Sequence, residues 1–381
     1  MASRIDPGLR HEIARLGARD LAACMNCGFC TATCALSTET EAFPRRIIHL
    51  LQVGHRERLA GSLEPWLCYY CGDCSESCPR DANPGEIMMA ARRYLAGVYD
   101  WTGISARVLR SRGAHLFALS LAAGSTLALI VLYHVWYVQY PFADFATTPF
   151  GMEHMFPRIA YFTIGGVLLP LALVLSRIPA IWRATLQDET RRHIPVSCYV
   201  AELATYVRHT AMQSRLRDCP DKGRWRGHFL LAFGVTLMVA IKLFALHWFQ
   251  TDAIYPIHHP QRWLGYVGFA CIVYGVADLW MRRRRAAYRE TRFEDLVLPV
   301  LLLATAVSGI AVHLSRYTGF PLAAHYFYAA HLMIAAPLFL VELPFGEWSH
   351  AIYRPLALYL TAVRQRWRQS EAFEAATAST P

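Results

Sequence analysis

Two stretches decide the reading: CMNCGFCTATC, from Cys24 to Cys34, and CYYCGDCSESCP, from Cys68 to Pro79. Each has the spacing C-x2-C-x2-C-x3-C, on Cys24, Cys27, Cys30 and Cys34 and on Cys68, Cys71, Cys74 and Cys78. That is the ligand run of a 4Fe–4S cluster, whose close turns set three thiolates on three corners of a cubane. The fourth Cys of such a run points elsewhere and ligates the other cluster. The spacing predicts one cluster on Cys24, Cys27, Cys30 and Cys78, and a second on Cys68, Cys71, Cys74 and Cys34. A zinc site usually takes two separated Cys pairs, and disulfide frameworks belong to small secreted domains. Neither accounts for two identical runs 44 residues apart. The second run ends Cys78-Pro79 and the first Cys34-Ala35, a difference that touches the exit turn and no ligand.

The 381 residues allow two or three domains. They are 55% hydrophobic and only 17% charged, where a soluble protein carries about 25% charged residues. The mean hydropathy is +0.23. The composition describes a membrane protein with a modest polar part. A net charge of +10 raises nucleic acid as a partner, but the basic residues stand in blocks between apolar spans, which membrane topology explains better. Cys198, Cys219 and Cys271 are scattered and read as ordinary thiols. The first twenty residues lack a signal peptide's apolar core, so the clusters are expected on the cytoplasmic side, where thiolates stay reduced.

Along the chain, Leu9, Ile13, Leu16 and Leu21 repeat near helical period and predict a helix over 8–22. Pro44 opens a helix over Arg45–Val53 that Gly54 closes, and Pro84 opens another to about Leu95, ending near Gly97. Six apolar spans follow, over about 113–138, 158–178, 228–250, 262–281, 295–315 and 322–343. The connection from Arg177 to Gly227 holds ten Lys plus Arg, and further Arg clusters surround 107–112, 282–292 and 354–368. The opposite connections hold only Arg158, Arg262 and Arg316. The positive-inside rule then places both termini in the cytoplasm, in a multi-pass protein of the cytoplasmic membrane. Within the long basic connection, Val196, Tyr199, Val200, Leu203, Tyr206 and Val207 share a helical face, either for the membrane surface or for a soluble partner. The residues from Ser370 on read as an irregular tail. The expected fold is mainly α: a ferredoxin-like helical two-cluster domain (1–105), a six-helix membrane domain (106–350) and a cytoplasmic tail (351–381).

Many of the sixteen histidines stand at the ends of spans, where a membrane-embedded ionisable group is a functional candidate. His228 begins the third span and His247 lies near its far end. His331 is in the sixth span and His350 follows it. Antiparallel helices bring His228 to the depth of His350 and His247 to that of His331. Two axial pairs at two depths suit two b-type haems. His134 and His313 compete with His247, and His115 competes at the cluster end. Lys242, Asp278 and Glu342 are ionisable at membrane depth. Lys242 is the candidate for a quinone carbonyl or haem propionate; the plainer alternative is a Lys that pairs with Asp278 or snorkels. Asp278 and Glu342, near span ends, read as solvated carboxylates.

The Cys runs resemble the iron–sulfur subunit of heterodisulfide reductases. The segment HLMIAAPLFLVELPFGEWSH, His331 to His350, resembles the last helix of the gamma subunit of respiratory nitrate reductase, where both His positions bind haem. In that family the partner helix carries two His; His228 matches the first, the second falls near Met238, and His247 is the substitute. A chain joining both parts looks like the membrane subunit of the quinone-interacting membrane-bound oxidoreductase, the QmoC family. The resemblance implies partners like the flavin and iron–sulfur subunits QmoA and QmoB, an indirect link to adenylylsulfate reductase, and menaquinone or ubiquinone as substrate. It implies a quinone-linked electron-transfer subunit rather than a complete enzyme, and the chain shows no dinucleotide fingerprint of its own. Two rival readings stand: a fused heterodisulfide-reductase-like subunit serving another acceptor, and a membrane-anchored iron–sulfur sensor without quinone turnover. A transporter lacks support, since repeats among the spans are not evident.

Overall fold

The computed structural model describes residues 5–38, 42–138, 159–186, 194–217, 221–249, 251, 253–285 and 292–378. Among these the chain is helical throughout, with no strand. The first hundred residues wrap short helices around the Cys runs, over a core built on Ile13, Ile47, Leu51, Leu59 and Trp66. The longest helix of this part, α1 (Pro84–Tyr99), is capped by the Asn83 side chain and buries nearly its whole length. It runs two residues past Gly97, near which its end is expected; the glycine there serves packing, since a Cβ would meet Ala106 at 3.1 Å. The helix expected over 8–22 instead stops at Arg15 and resumes as a 3-10 turn, Arg19–Ala23. The break is Gly17, at φ +128, where a Cβ would strike the Glu86 carboxylate at 2.5 Å. Arg45–Val53 ends on Gly54 at φ +79, as its sequence predicts.

Among the described residues, six helices are long and apolar enough to cross a membrane. They are built on α2 (Arg112–Tyr133), α3 (Ile159–Leu175), α4 (Lys222–Phe244), α5 (Pro260–Arg285), α6 (Phe293–Tyr317) and α7 (Pro321–Pro337). Their outward sides are apolar, with Phe117 68% and Leu169 62% exposed, the composition of a lipid-facing surface. A tight contact in the bundle is α4 on α5. Gly275 admits Leu231 and Gly268 admits Met238, where a Cβ would stand 2.4 and 2.3 Å from those side chains. Small residues let membrane helices close up in this way. The third span ends at Phe244, short of its expected limit at 250. The chain turns at Ala245, and the Trp248 carbonyl beyond the turn takes the Gln261 amide at the start of α5.

The spans alternate between an end at the Cys-rich part and a far end. At the cluster end Arg93 of α1 meets Asp295 of α6 at 2.7 Å and Glu347 at 3.0 Å. Arg177 after α3 meets Asp100 at 3.0 Å, both fully buried. The last helix, α8 (His350–Ala378), lies along the cluster part and continues through the segment expected to be irregular. Val196–Ala201 and Leu203–Met212 form two short helices against α8. The Tyr206 ring meets Tyr359 edge-on, the Tyr359 hydroxyl donates to the Tyr199 carbonyl and Tyr199 is half-buried, while Val196, Val200, Leu203 and Val207 stay exposed, so the face read from sequence divides in two.

Candidate functional site

The two Cys runs have matching backbones. Asn26 and Tyr70, each just before the second Cys, take left-handed conformations at φ 56 and 52, and Gly28 and Gly72, just after it, take φ 89 and 100. Each Gly starts a short helix, Phe29–Thr33 or Asp73–Glu76. The double reversal aims the main chain back at the first sulfur: the Asn26 amide donates to Cys24 Sγ at 3.5 Å and the Tyr70 amide to Cys68 Sγ at 3.4 Å. Such N–H···S bonds hold and tune thiolate ligands. The groupings cross over between the runs. Cys30 is neighboured by Cys24, Cys27 and Cys78, and Cys74 by Cys68, Cys71 and Cys34. Burial first, then these neighbours, pushes the Cys30 thiol up to about 11 and the Cys74 thiol further. Four sulfurs so placed need metal charge to exist as thiolates. Among the described residues no three His, Cys, Asp or Glu side chains close on one point as ligands of a single ion do; thiolates of a cubane bind separate irons and stand further apart.

His228 of α4 and His350 of α8 lie with ring centroids 6.4 Å apart. Two imidazoles ligating one metal at about 2 Å on either side have centroids roughly 6 Å apart. The ring orientations are fixed from behind. His350 Nδ1 donates to the Glu347 carbonyl at 2.5 Å, and His228 Nδ1 to Gln213 Oε1 at 2.7 Å. This leaves each Nε2 as the nitrogen a metal could take, an arrangement like that of ligating His. Burial, with Arg354 beside it, holds His350 down at about 3, so it is neutral as a ligand must be. A cavity of about 230 Å³ opens on both rings and is lined also by Tyr70, Arg92, Arg224 and Arg354.

A second cavity, about 320 Å³, lies further along the bundle. His331 faces it, with Nδ1 bonded to Ser308 Oγ at 3.0 Å. Lys242 lines the same cavity, its Nζ 5.2 Å from the centre of the Phe339 ring. Helical side chains lean toward their own N-terminus, which carries the Lys242 ammonium back toward the cluster end. Lys242 does not pair with Asp278, whose carboxylate accepts from Arg282 Nε at 2.8 Å. His247 falls in a short helix past the end of α4, and its side chain lies outside the described residues. The ring nitrogens of His313 are engaged by Arg262 and Tyr266.

Glu342 is not the solvated carboxylate expected. It is fully buried and meets His115 Nε2 at 2.5 Å. Sequence alone hid this pair because the two residues stand 227 positions apart. The same holds for the arginines of the first cavity: Arg92 and Arg354 both donate to the Cys68 carbonyl, at 2.5 and 3.0 Å, and Arg224 to the Cys71 carbonyl at 3.2 Å.

Comparisons with known proteins match two parts of the chain. A 4Fe–4S dicluster domain matches residues 20–82, and the family described as citrate utilization protein B matches residues 110–372. Citrate utilization protein B of Escherichia coli is 24% identical over 384 residues, 91% of this chain and 92% of that one. A heterodisulfide reductase C-subunit-like protein of Archaeoglobus profundus is 38% identical over 116 residues, 29% of this chain and 62% of the relative. The C-subunit of the H(2):CoB-CoM heterodisulfide,ferredoxin reductase of Methanothermobacter marburgensis is 30% identical over 92 residues, 24% and 50%. The chain thus spans between half and about three fifths of those two relatives. No solved structure matches.

Proposed function

We propose, for a chain that belongs to the citrate utilization protein B family, a membrane electron-transfer subunit. It links the quinone pool, through b haems and two 4Fe–4S clusters, to a soluble flavoprotein on the cluster side. The observation that carries the haem is the 6.4 Å spacing of His228 and His350 with both Nδ1 positions engaged. Haem b supplies one-electron carriage between a two-electron quinol and the clusters. His228 and His350 hold one such group, and His331 with His247 is the proposed second pair. Lys242, in the second cavity with His331, is placed to meet a quinone oxygen as donor; no ion pair competes for it among the described residues. The clusters and their ligands, Cys24, Cys27, Cys30 and Cys78 and Cys68, Cys71, Cys74 and Cys34, receive or supply the electrons at the cytoplasmic face.

The soluble partner has two readings. Resemblance to QmoC points to flavin and iron–sulfur subunits linked to adenylylsulfate reductase. The whole-length likeness to citrate utilization protein B favours a partner that serves citrate utilization instead. The shared part is tested first. A pyridine haemochrome with iron and sulfide analysis on the detergent-purified chain is expected to show two b haems beside about eight non-haem irons. His228→Ala and His350→Ala are each expected to lose the same haem, and His331→Ala the other. Clusters without haem would sink the quinone reading and leave an iron–sulfur sensor.

A further inference from the structure

The cavity between His228 and His350 has a cationic wall. Arg92, Arg224 and Arg354 line it, from α1, α4 and α8. Each is anchored on a carbonyl of the second Cys run, Cys68 or Cys71. Carbonyls satisfy N–H groups but carry no charge. Arg92 is only 7% exposed. Among the described residues neither Arg92 nor Arg224 has a carboxylate at ion-pair distance, and Arg224 Nη1 is buried with no acceptor at all. The acids on the same cavity are already engaged: Asp278 by Arg282, and Asp295 and Glu347 by Arg93. A buried cation with no carboxylate at contact distance, as at Arg92 and at Nη1 of the half-buried Arg224, is costly, so this part of the wall is suited to an anion. A guanidinium fork matches a carboxylate in particular. Position agrees. Arg224 precedes His228 by four residues and Arg354 follows His350 by four, so each histidine has an arginine one turn away on its own helix face.

We infer that this wall is a carboxylate-binding site, and that its ligand is the propionate pair of the haem assigned above to His228 and His350. The inference rests on that assignment. Because the same guanidinia hold the Cys68 and Cys71 carbonyls, the site sets the haem against the second cluster rather than the first. Arg224 and Arg354 are then positioning residues between the two centres.

The test uses the full-length chain in detergent, with optical and electron-paramagnetic potentiometric titrations of every centre. In Arg224→Gln the haem ratio should stay at the wild-type value. The midpoint of the haem lost in His228→Ala should fall, because removing a cation beside propionates favours ferric iron. Arg224→Lys, which keeps the charge, should recover most of the shift, and the other haem and both clusters should hold their potentials. Arg354→Gln gives the same reading from the other histidine if Arg224→Gln fails to accumulate. A shift confined to the second cluster would show that the arginines serve the cluster, and no shift anywhere would show carbonyl staples only; either overturns the inference. Full haem content in His228→Ala would instead remove the assignment beneath it.

Discussion

Replacing Arg93 by Gln should loosen the Cys-rich domain from the membrane bundle. Arg93 is 2% exposed, and its guanidinium meets Glu86 at 2.8 Å, Asp295 at 2.7 Å and Glu347 at 3.0 Å. It also donates to the Leu16 carbonyl at 2.8 Å. Removing one partner of a buried pair costs about 3–5 kcal/mol, and Glu86 at 3% exposure is such a partner. Asp295 and Glu347, at 11% and 20%, keep some water and add about 1 kcal/mol or less each. A loss on the order of 5 kcal/mol lowers the unfolding midpoint by about 6 °C for a chain of this size. The pH dependence has a definite sign. Burial raises the Glu86 carboxyl above its usual range, against the pull of Arg93. Without Arg93 it rises further, so ionised Glu86 costs the variant stability at high pH, and the cost is relieved as pH falls through the raised pKa. Thermal loss of the cluster absorbance, followed in detergent from pH 8 to pH 5, reads both effects. A deficit in Arg93→Gln that is absent, or equal at the two pH values, would refute the account.

Further outcomes can be stated more briefly. Cys78→Ser, though it lies in the second run, should disturb the cluster of the first, seen as the loss or conversion of one of two paramagnetic signals; an effect confined to the cluster of Cys68, Cys71 and Cys74 would contradict the crossed ligation. Lys242→Met should leave haem and iron content unchanged and slow haem reduction by quinol at least tenfold, and a normal rate would remove Lys242 from the quinone site. Glu342→Ala leaves His115 buried without its partner and should cost about 1–3 kcal/mol, read as a lower thermal midpoint with unchanged cofactor content. Gly275→Leu should prevent α4 and α5 from closing on each other, since even a Cβ there stands 2.4 Å from Leu231; a normal yield of folded protein would show that the helices can part.

What could be read in advance follows from how far apart the cooperating residues lie. Cluster ligands at fixed short spacing carry their own geometry, and even the αL turns at Gly28 and Gly72 follow the repeat. Apolar length gave the six spans. The juxtaposition of His228 and His350 followed from counting along antiparallel helices. The arginines did not, because Arg92, Arg224 and Arg354 converge from three distant segments on main-chain carbonyls, for which no side-chain pattern exists. His115 and Glu342 each stand out singly in the sequence, and only packing of the first span on the sixth makes them a pair. The end of α4 at Phe244 and the break at Gly17 are not legible in sequence for a related reason: the residues met there, Gln261 beyond the turn and Glu86 beside Gly17, are distant in the chain.

Helix α8 starts with His350, and one turn on it places Arg354 on the carbonyls of Trp66 and Cys68. The gap between the membrane site and the second Cys run is therefore measured by helical rise, about 6 Å over the four residues from His350 to Arg354, and not by the length of any connection. Lengthening the loops between spans would leave that interval untouched. One residue inserted between His350 and Arg354 would swing the guanidinium about 100° around the axis and sever the contact. The connecting segments can lengthen or shorten around the site, whereas this single turn must keep its length.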